Sequence, residues 1–268
     1  MISKDTGTGT PIIFIHGFGV NSLILQSLEE TIDFSGWRRI YIDLPWTRQG
    51  LDLSVKSSNE ILHTVEQEVL DYLDQEPFAL VGNSFGAMIA RSMAHRQRGR
   101  VLGLATLAGV FEPQAQRRTV PQKSVVFEDA EFISALGEHK GEFTDISVIQ
   151  DKPNYQRFLE YVIPGLLEAD AGIMEQISAQ YAVTPVPEEV ASEPFGAPAL
   201  HLFGRQDHIV GYRDGLTWLD HYSQGTYLVL DMAGHNLHLE QPHLVKAVFE
   251  DWLLRMKLEN PTAKNFSQ

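Results

Sequence analysis

The 268-residue chain contains no cysteine. That absence excludes a disulfide framework, a thiolate metal site and a cysteine nucleophile. No apolar stretch approaches the roughly 18 residues of a membrane span, and no cationic start leads into one. The expectation is therefore a soluble, cytoplasmic protein with no membrane partner. Positive charge is scarce, since 21 Lys and Arg stand against 35 Asp and Glu, a formal net charge of −14. Phosphate binding needs clustered Lys and Arg, so neither nucleic acid nor an anionic membrane is expected as a partner. Internal repeats and low-complexity tracts are also missing. The 43% hydrophobic content is enough, at this length, for one large core.

What the chain does have is an alternation of short apolar runs with amphipathic stretches. Residues 12–15, 39–42, 78–81, 101–105, 199–203 and 226–230 read as strands. Ser57 and Glu60 have the spacing of a capping box, followed by Ile61, Leu62, Val65, Val69, Tyr72 and Leu73 at helical intervals. A last helix carries Val245, Val248, Phe249, Trp252, Leu253 and Met256 on one face. The alternation predicts an α/β fold, a mainly parallel sheet with helices on both faces.

Gly82-Asn83-Ser84-Phe85-Gly86 lies between the strand at 78–81 and a helix-compatible stretch at 87–94. A serine at such a strand-to-helix turn is held in strained backbone angles, with its hydroxyl pushed out above the sheet. Glycines two before and two after let strand and helix approach without Cβ clashes. An activated serine needs a base, an acid that orients the base, and donors for an oxyanion. Asp207 follows the strand at 199–203, and His235 follows the strand at 226–230. His16-Gly17-Phe18-Gly19 follows the first strand and can present the Phe18 N–H, while the Phe85 N–H opens the helix after Ser84.

Competing residues have simpler readings. Asp231 is only four residues before His235, which favours Asp207 as the acid. His16 is expected to hydrogen-bond within its loop, His208 and His221 to be solvated, and His238 to make a satisfied polar contact. Glu240 and Pro242 read as residues around the start of the final helix.

In this order the pieces resemble the α/β-hydrolase superfamily over nearly the whole chain, from His16 to Met256. The resemblance implies a catalytic triad of Ser84, Asp207 and His235, an oxyanion hole from the N–H groups of Phe18 and Phe85, and no cofactor or metal. It divides the chain into a core at 1–110 and 195–260, a helical lid at 111–194 and a flexible tail at 261–268. Only fifteen residues precede His16, which implies a shortened N-terminal hairpin. Trp46, Phe111, Phe158 and Tyr161 are the candidate pocket residues. The other apolar lid residues, among them Phe127, Leu166, Leu167 and Tyr181, are divided between the lid's own core and the pocket wall.

The expected function is that of a serine hydrolase that cleaves an ester or related activated acyl bond through an acyl-enzyme. From Glu112 to Glu193 there are 15 acidic and 6 basic residues, a net of −9, which predicts a small, mostly apolar, neutral substrate. The Gly82–Gly86 sequence is also similar to hydrolases that cleave carbon–carbon bonds of ring-fission products. Asn236, where those enzymes usually carry tryptophan, weakens that analogy. A small-molecule receptor on the same fold is the alternative of a different class, and perhydrolase or haloperoxidase activity is expected only as a side reaction. No oligomeric state is assigned.

Overall fold

The computed structural model describes residues 1–259, and the expected tail lies outside them. The first half of the chain runs β1 (Ile2–Thr6), β2 (Thr10–Ile15), α1 (Leu23–Gln26), β3 (Trp37–Ile42), α2 (Ser58–Leu73), β4 (Phe78–Asn83), α3 (Phe85–Arg96) and β5 (Val101–Leu107). A long segment then contains β6 (Phe127–Glu128), α4 (Ala130–Ala135), α5 (Lys140–Ile146), β7 (Ile149–Gln150) and α6 (Lys152–Tyr161). It continues through α7 (Ile163–Glu168), α8 (Ala171–Ala179) and α9 (Pro187–Val190). The chain returns to the sheet with β8 (Ala199–Gly204), α10 (Arg213–Leu216), β9 (Gly225–Leu230), α11 (Leu237–Glu240) and α12 (Pro242–Glu259).

Seven strands form the main sheet in the order β1-β3-β2-β4-β5-β8-β9. All its pairings are parallel except that of β1 with β3. The shortened N-terminal hairpin thus takes the form of one leading strand, β1, laid antiparallel on β3. Strands buried on both faces need continuous apolar side chains. Ile12, Ile13, Phe14 and Ile15 of β2 are accordingly inaccessible, as are Phe78, Ala79, Leu80 and Val81 of β4.

The helices follow their sequence signals with small departures. Ser57 caps α2 by accepting the Glu60 N–H at 3.2 Å. The Glu60 carboxylate accepts the Lys56 N–H at 2.6 Å, one residue beyond the Ser57 amide that a reciprocal capping box would engage. Ile61, Leu62, Val65, Val69 and Leu73 are buried, but Tyr72 is exposed and its hydroxyl donates to Asp5. On α12 the expected face is buried except for the half-buried Val248, and the Trp252 indole N–H donates to the Pro198 carbonyl at 3.0 Å.

The segment between β5 and β8 has its own apolar centre, where the Phe143 ring meets those of Tyr155 and Phe158 at 5.2 and 5.5 Å. Phe127 and Leu167 are excluded from it, at 49% and 73% exposure. Three of the acidic residues act as helix caps: Asp129, Asp151 and Asp170 accept the N–H groups of Phe132, Asn154 and Ile173. The segment is bound to the sheet side by the Asp170 N–H to the Trp46 carbonyl, the Ser58 hydroxyl to the Tyr181 carbonyl, and a buried ion pair between Arg91 and Glu188.

Candidate active site

Ser84 stands between β4 and α3 with φ 50° and ψ −112°, a conformation that costs a non-glycine residue about 1–3 kcal/mol. The packing around the turn enforces it. A Cβ at Gly82 would come within 2.5 Å of the Ala87 Cα, and one at Gly86 within 2.1 Å of the Ile15 carbonyl oxygen. Strand, turn and helix can be this close only with glycine at both positions.

Asp207, in the turn after β8, is fully buried. Its Oδ1 accepts the N–H groups of Ile209 and Val210 at 2.9 and 3.1 Å, which fixes the carboxylate. Oδ2 lies 2.9 Å from Nδ1 of His235, and Nε2 of that ring lies 3.0 Å from Ser84 Oγ. A carboxylate only accepts, so Nδ1–H donates to Asp207 and the Nε2 lone pair faces the serine hydroxyl. The structure therefore brings together the three residues singled out in the sequence. Asp231 is exposed and accepts a bond from the Gln206 amide.

Phe85 follows Ser84 directly, and Phe18 shares both cavity linings with the serine. Among the described residues neither backbone amide donates to a protein acceptor, as expected for Phe85 at the first position of a helix. Trp46, expected in the pocket, is instead fully buried beneath these two residues, its ring 4.9 Å from that of Phe18 and 5.5 Å from that of Phe85. Its indole N–H donates to the Val20 carbonyl at 2.9 Å, so it buttresses the loop that carries Phe18. His16 is neutral because burial pushes it down to about 4; Nδ1–H donates to the Gly17 carbonyl and Nε2 accepts the Leu44 N–H.

Two cavities meet at Ser84 and His235. One, of about 520 Å³, is walled by Val20, Ile24, Phe158, Val162 and Leu166, with Lys123, Glu142 and Asp145 also in its lining. The other, of about 790 Å³, is lined by Asn59, Gln114, Gln116, Arg118, Gln180 and Tyr181. Of the proposed pocket aromatics only Phe158 lines either cavity. Phe111 packs inward, its ring 3.9 Å beneath the Arg91 guanidinium. Tyr161 turns its hydroxyl to the Glu30 carboxylate. Most acidic side chains of the inserted segment face solvent or cap helices, and Glu142 and Asp145 alone among them line these two cavities, which weakens the basis for expecting a neutral substrate.

Several residues near the site take roles that the sequence reading did not assign them. Glu240 is buried, and its carboxylate accepts the Gly234 N–H at 2.6 Å and the Val148 N–H at 2.7 Å. It thus joins the residue before His235 to the segment beside β7. Burial pushes its pKa up to about 7, against the downward pull of these amides. Asn236 lines the apolar cavity with a buried Nδ2 that has no partner among the described residues. His208 is half-buried and lines the same cavity, and His221 pairs with His95 at 2.8 Å, so neither is simply solvated. His238 behaves as expected, bonded to the Ile24 carbonyl. The described residues include no group of three or more His, Cys, Asp or Glu able to hold a metal ion, and none of their helices is long and apolar enough to cross a membrane.

Residues 10–242 match the family model of the alpha/beta hydrolase fold, and the chain belongs to that family. It is 24% identical to 2-hydroxymuconate semialdehyde hydrolase of Pseudomonas sp. (strain CF600), over 93% of this chain and 88% of that one. It is 23% identical to pimeloyl-(acyl-carrier protein) methyl ester esterase of Shewanella woodyi, over 93% and 96%. An alpha/beta superfamily hydrolase from Oenococcus oeni PSU-1 superposes with a TM-score of 0.88 over 95% of each chain, at 25% identity. The relatives include esterases, carbon–carbon bond hydrolases and haloperoxidases.

Proposed function

We propose that the protein is a serine hydrolase that cleaves an ester, or a related activated acyl bond, of a small molecule through an acyl-enzyme, with residues 111–194 acting as a lid over the site. Ser84 Oγ attacks the carbonyl carbon while His235 Nε2 takes its proton. Asp207 holds the imidazole and stabilises its cation, and the Phe18 and Phe85 amides bind the tetrahedral oxyanion. The imidazolium then protonates the departing group. Water attacks the acyl-enzyme with His235 again as base, restoring the free serine. The cavity between Val20, Ile24, Phe158 and Val162 suits an apolar portion of the substrate.

The observation that carries this reading is the unbroken hydrogen-bonded chain from Asp207 through His235 to Ser84, on a left-handed turn. A fluorophosphonate probe tests it, together with burst kinetics on 4-nitrophenyl esters. One covalent label is expected at Ser84, with a burst that Ser84→Ala abolishes. Equal labelling of Ser84→Ala would end the assignment. Absence of any burst would instead favour a receptor.

Cleavage of a carbon–carbon bond is the second reading, supported by the relative named as a 2-hydroxymuconate semialdehyde hydrolase. It uses the same serine site, so the products formed from a vinylogous diketone and from a simple ester separate the two.

A further inference from the structure

The two cavities differ in charge compensation. Lys123, in the apolar one, is paired with Asp145 at 2.9 Å. Arg118, in the polar one, has no carboxylate partner among the described residues, although its neighbour Arg117 pairs with Glu112 at 3.2 Å. The Arg118 guanidinium is held instead by three backbone carbonyls, those of Glu112, Ile209 and Pro113, at 2.9, 3.2 and 3.3 Å. Those bonds engage three of its five N–H groups and fix its orientation without neutralising it. Tyr181 lies alongside, with its ring centroid 5.8 Å from the guanidinium carbon. Gln114, Gln116 and Gln180 complete a polar wall in the cavity that also contains Ser84 and His235.

We propose that this cavity binds the carboxylate of an anionic substrate through Arg118, so that the preferred esters carry a carboxylate on the portion lying there. The inference rests on the serine-hydrolase reading of Ser84. A preoriented planar fork matches a carboxylate. A single uncompensated cation, in a chain of net charge −14, suits a monoanion better than a dianion. Arg118 is then the residue that determines specificity, and the side-chain amides of Gln114, Gln116 and Gln180 complete the carboxylate's hydrogen bonds.

Two matched pairs test this. One is 4-nitrophenyl hydrogen adipate against its methyl ester; the other is 4-carboxyphenyl hexanoate against its methyl ester, so that the charge lies on either side of the reacting carbonyl. kcat/KM is measured for wild type, Arg118→Ala, Arg118→Gln, Arg118→Lys and Tyr181→Phe. In one pair the wild type is expected to favour the anion by about tenfold or more. Arg118→Ala and Arg118→Gln should erase that ratio mainly through KM, while Arg118→Lys keeps part of it. Tyr181→Phe should lower the ratio less. Arg118→Gln keeps a donor for the loop carbonyls, so its behaviour separates loss of charge from loss of folding. No anionic preference in either pair, or a ratio indifferent to Arg118, overturns the proposal. Calorimetric binding of the same four esters to Ser84→Ala needs no turnover. Arg118-dependent preference there, without hydrolysis by wild type, would uphold the subsite and sink the hydrolase reading.

Discussion

Ser84 and Asp207 stand on turns whose shape is set by buried strands and His235 on the turn after the half-buried edge strand β9, whereas the segment between β5 and β8 holds its place through side chains and helix caps. At the strand ends the backbone fits so closely that Gly82 and Gly86 tolerate no Cβ. In the inserted segment the anchors are separate polar contacts, chiefly the Arg91–Glu188 pair and the Glu240 carboxylate. The two regions thus tolerate change differently. A reacting group misplaced by an ångström loses most of its rate, which favours rigid support. A cavity wall is free to vary as long as its anchors hold.

The largest effects are expected on the sheet side. Asp207→Asn and His235→Ala should each lower kcat by roughly a thousandfold or more with little change in melting temperature, because the three residues act as a unit. Steady-state kinetics beside thermal melts checks this. If Asp231→Asn proved the damaging change, the acid would be wrongly assigned.

The anchor at Glu188 comes next and should affect stability more than chemistry. Removing one partner of a buried pair costs about 3–5 kcal/mol, so Glu188→Ala should lower the denaturation midpoint, and Arg91→Met with Glu188→Leu should recover part of the loss. Burial alone would raise the Glu188 pKa, but the Arg91 guanidinium and the Tyr222 hydroxyl hold it below the ordinary carboxylate range. The stability it contributes is therefore present above the unfolded-state pKa and lost as pH falls below it. Wild type should lose more stability in acid than Glu188→Gln, as read from urea unfolding across pH. Parallel curves would contradict the pairing.

Glu240 should give the smallest effect and the opposite sign. With its pKa raised to about 7 by burial, the folded state favours its proton, and its contribution is lost as pH rises from about 4.5 through 7. Wild type should therefore lose stability relative to Glu240→Gln over that interval. The amide that replaces the carboxylate in this variant keeps one acceptor and turns a donor toward Gly234 or Val148, so kcat should fall by about tenfold. A variant whose melting temperature follows wild type at every pH would show that the carboxylate does not hold its proton in the fold.

The sheet, the turn and the order of Ser84, Asp207 and His235 were legible in the sequence because each depends on local chemistry. Apolar runs of strand length report burial on both faces, paired glycines report a tight turn, and polar residues just after a strand report its end. The inserted segment was legible only as helix-rich. Side-chain type does not say which way a residue faces, so Trp46, Phe111 and Tyr161 looked like pocket walls. Tertiary packing put them under the Phe18 loop, beneath Arg91 and against Glu30. The net charge of −9 likewise hid its own distribution: carboxylates that cap helices or face water leave Arg118 as the uncompensated charge in the polar cavity. Glu240 read only as a residue near the start of the final helix, because its partners are backbone amides far from it in sequence or out of helical phase. The sequence by itself determined the strands, the strained serine and the order of the residues around it. Which side chains meet across the cavities was decided only by the tertiary structure, because contacts such as Glu240 to Val148 and Arg118 to Ile209 join residues about ninety positions apart whose proximity no local pattern encodes.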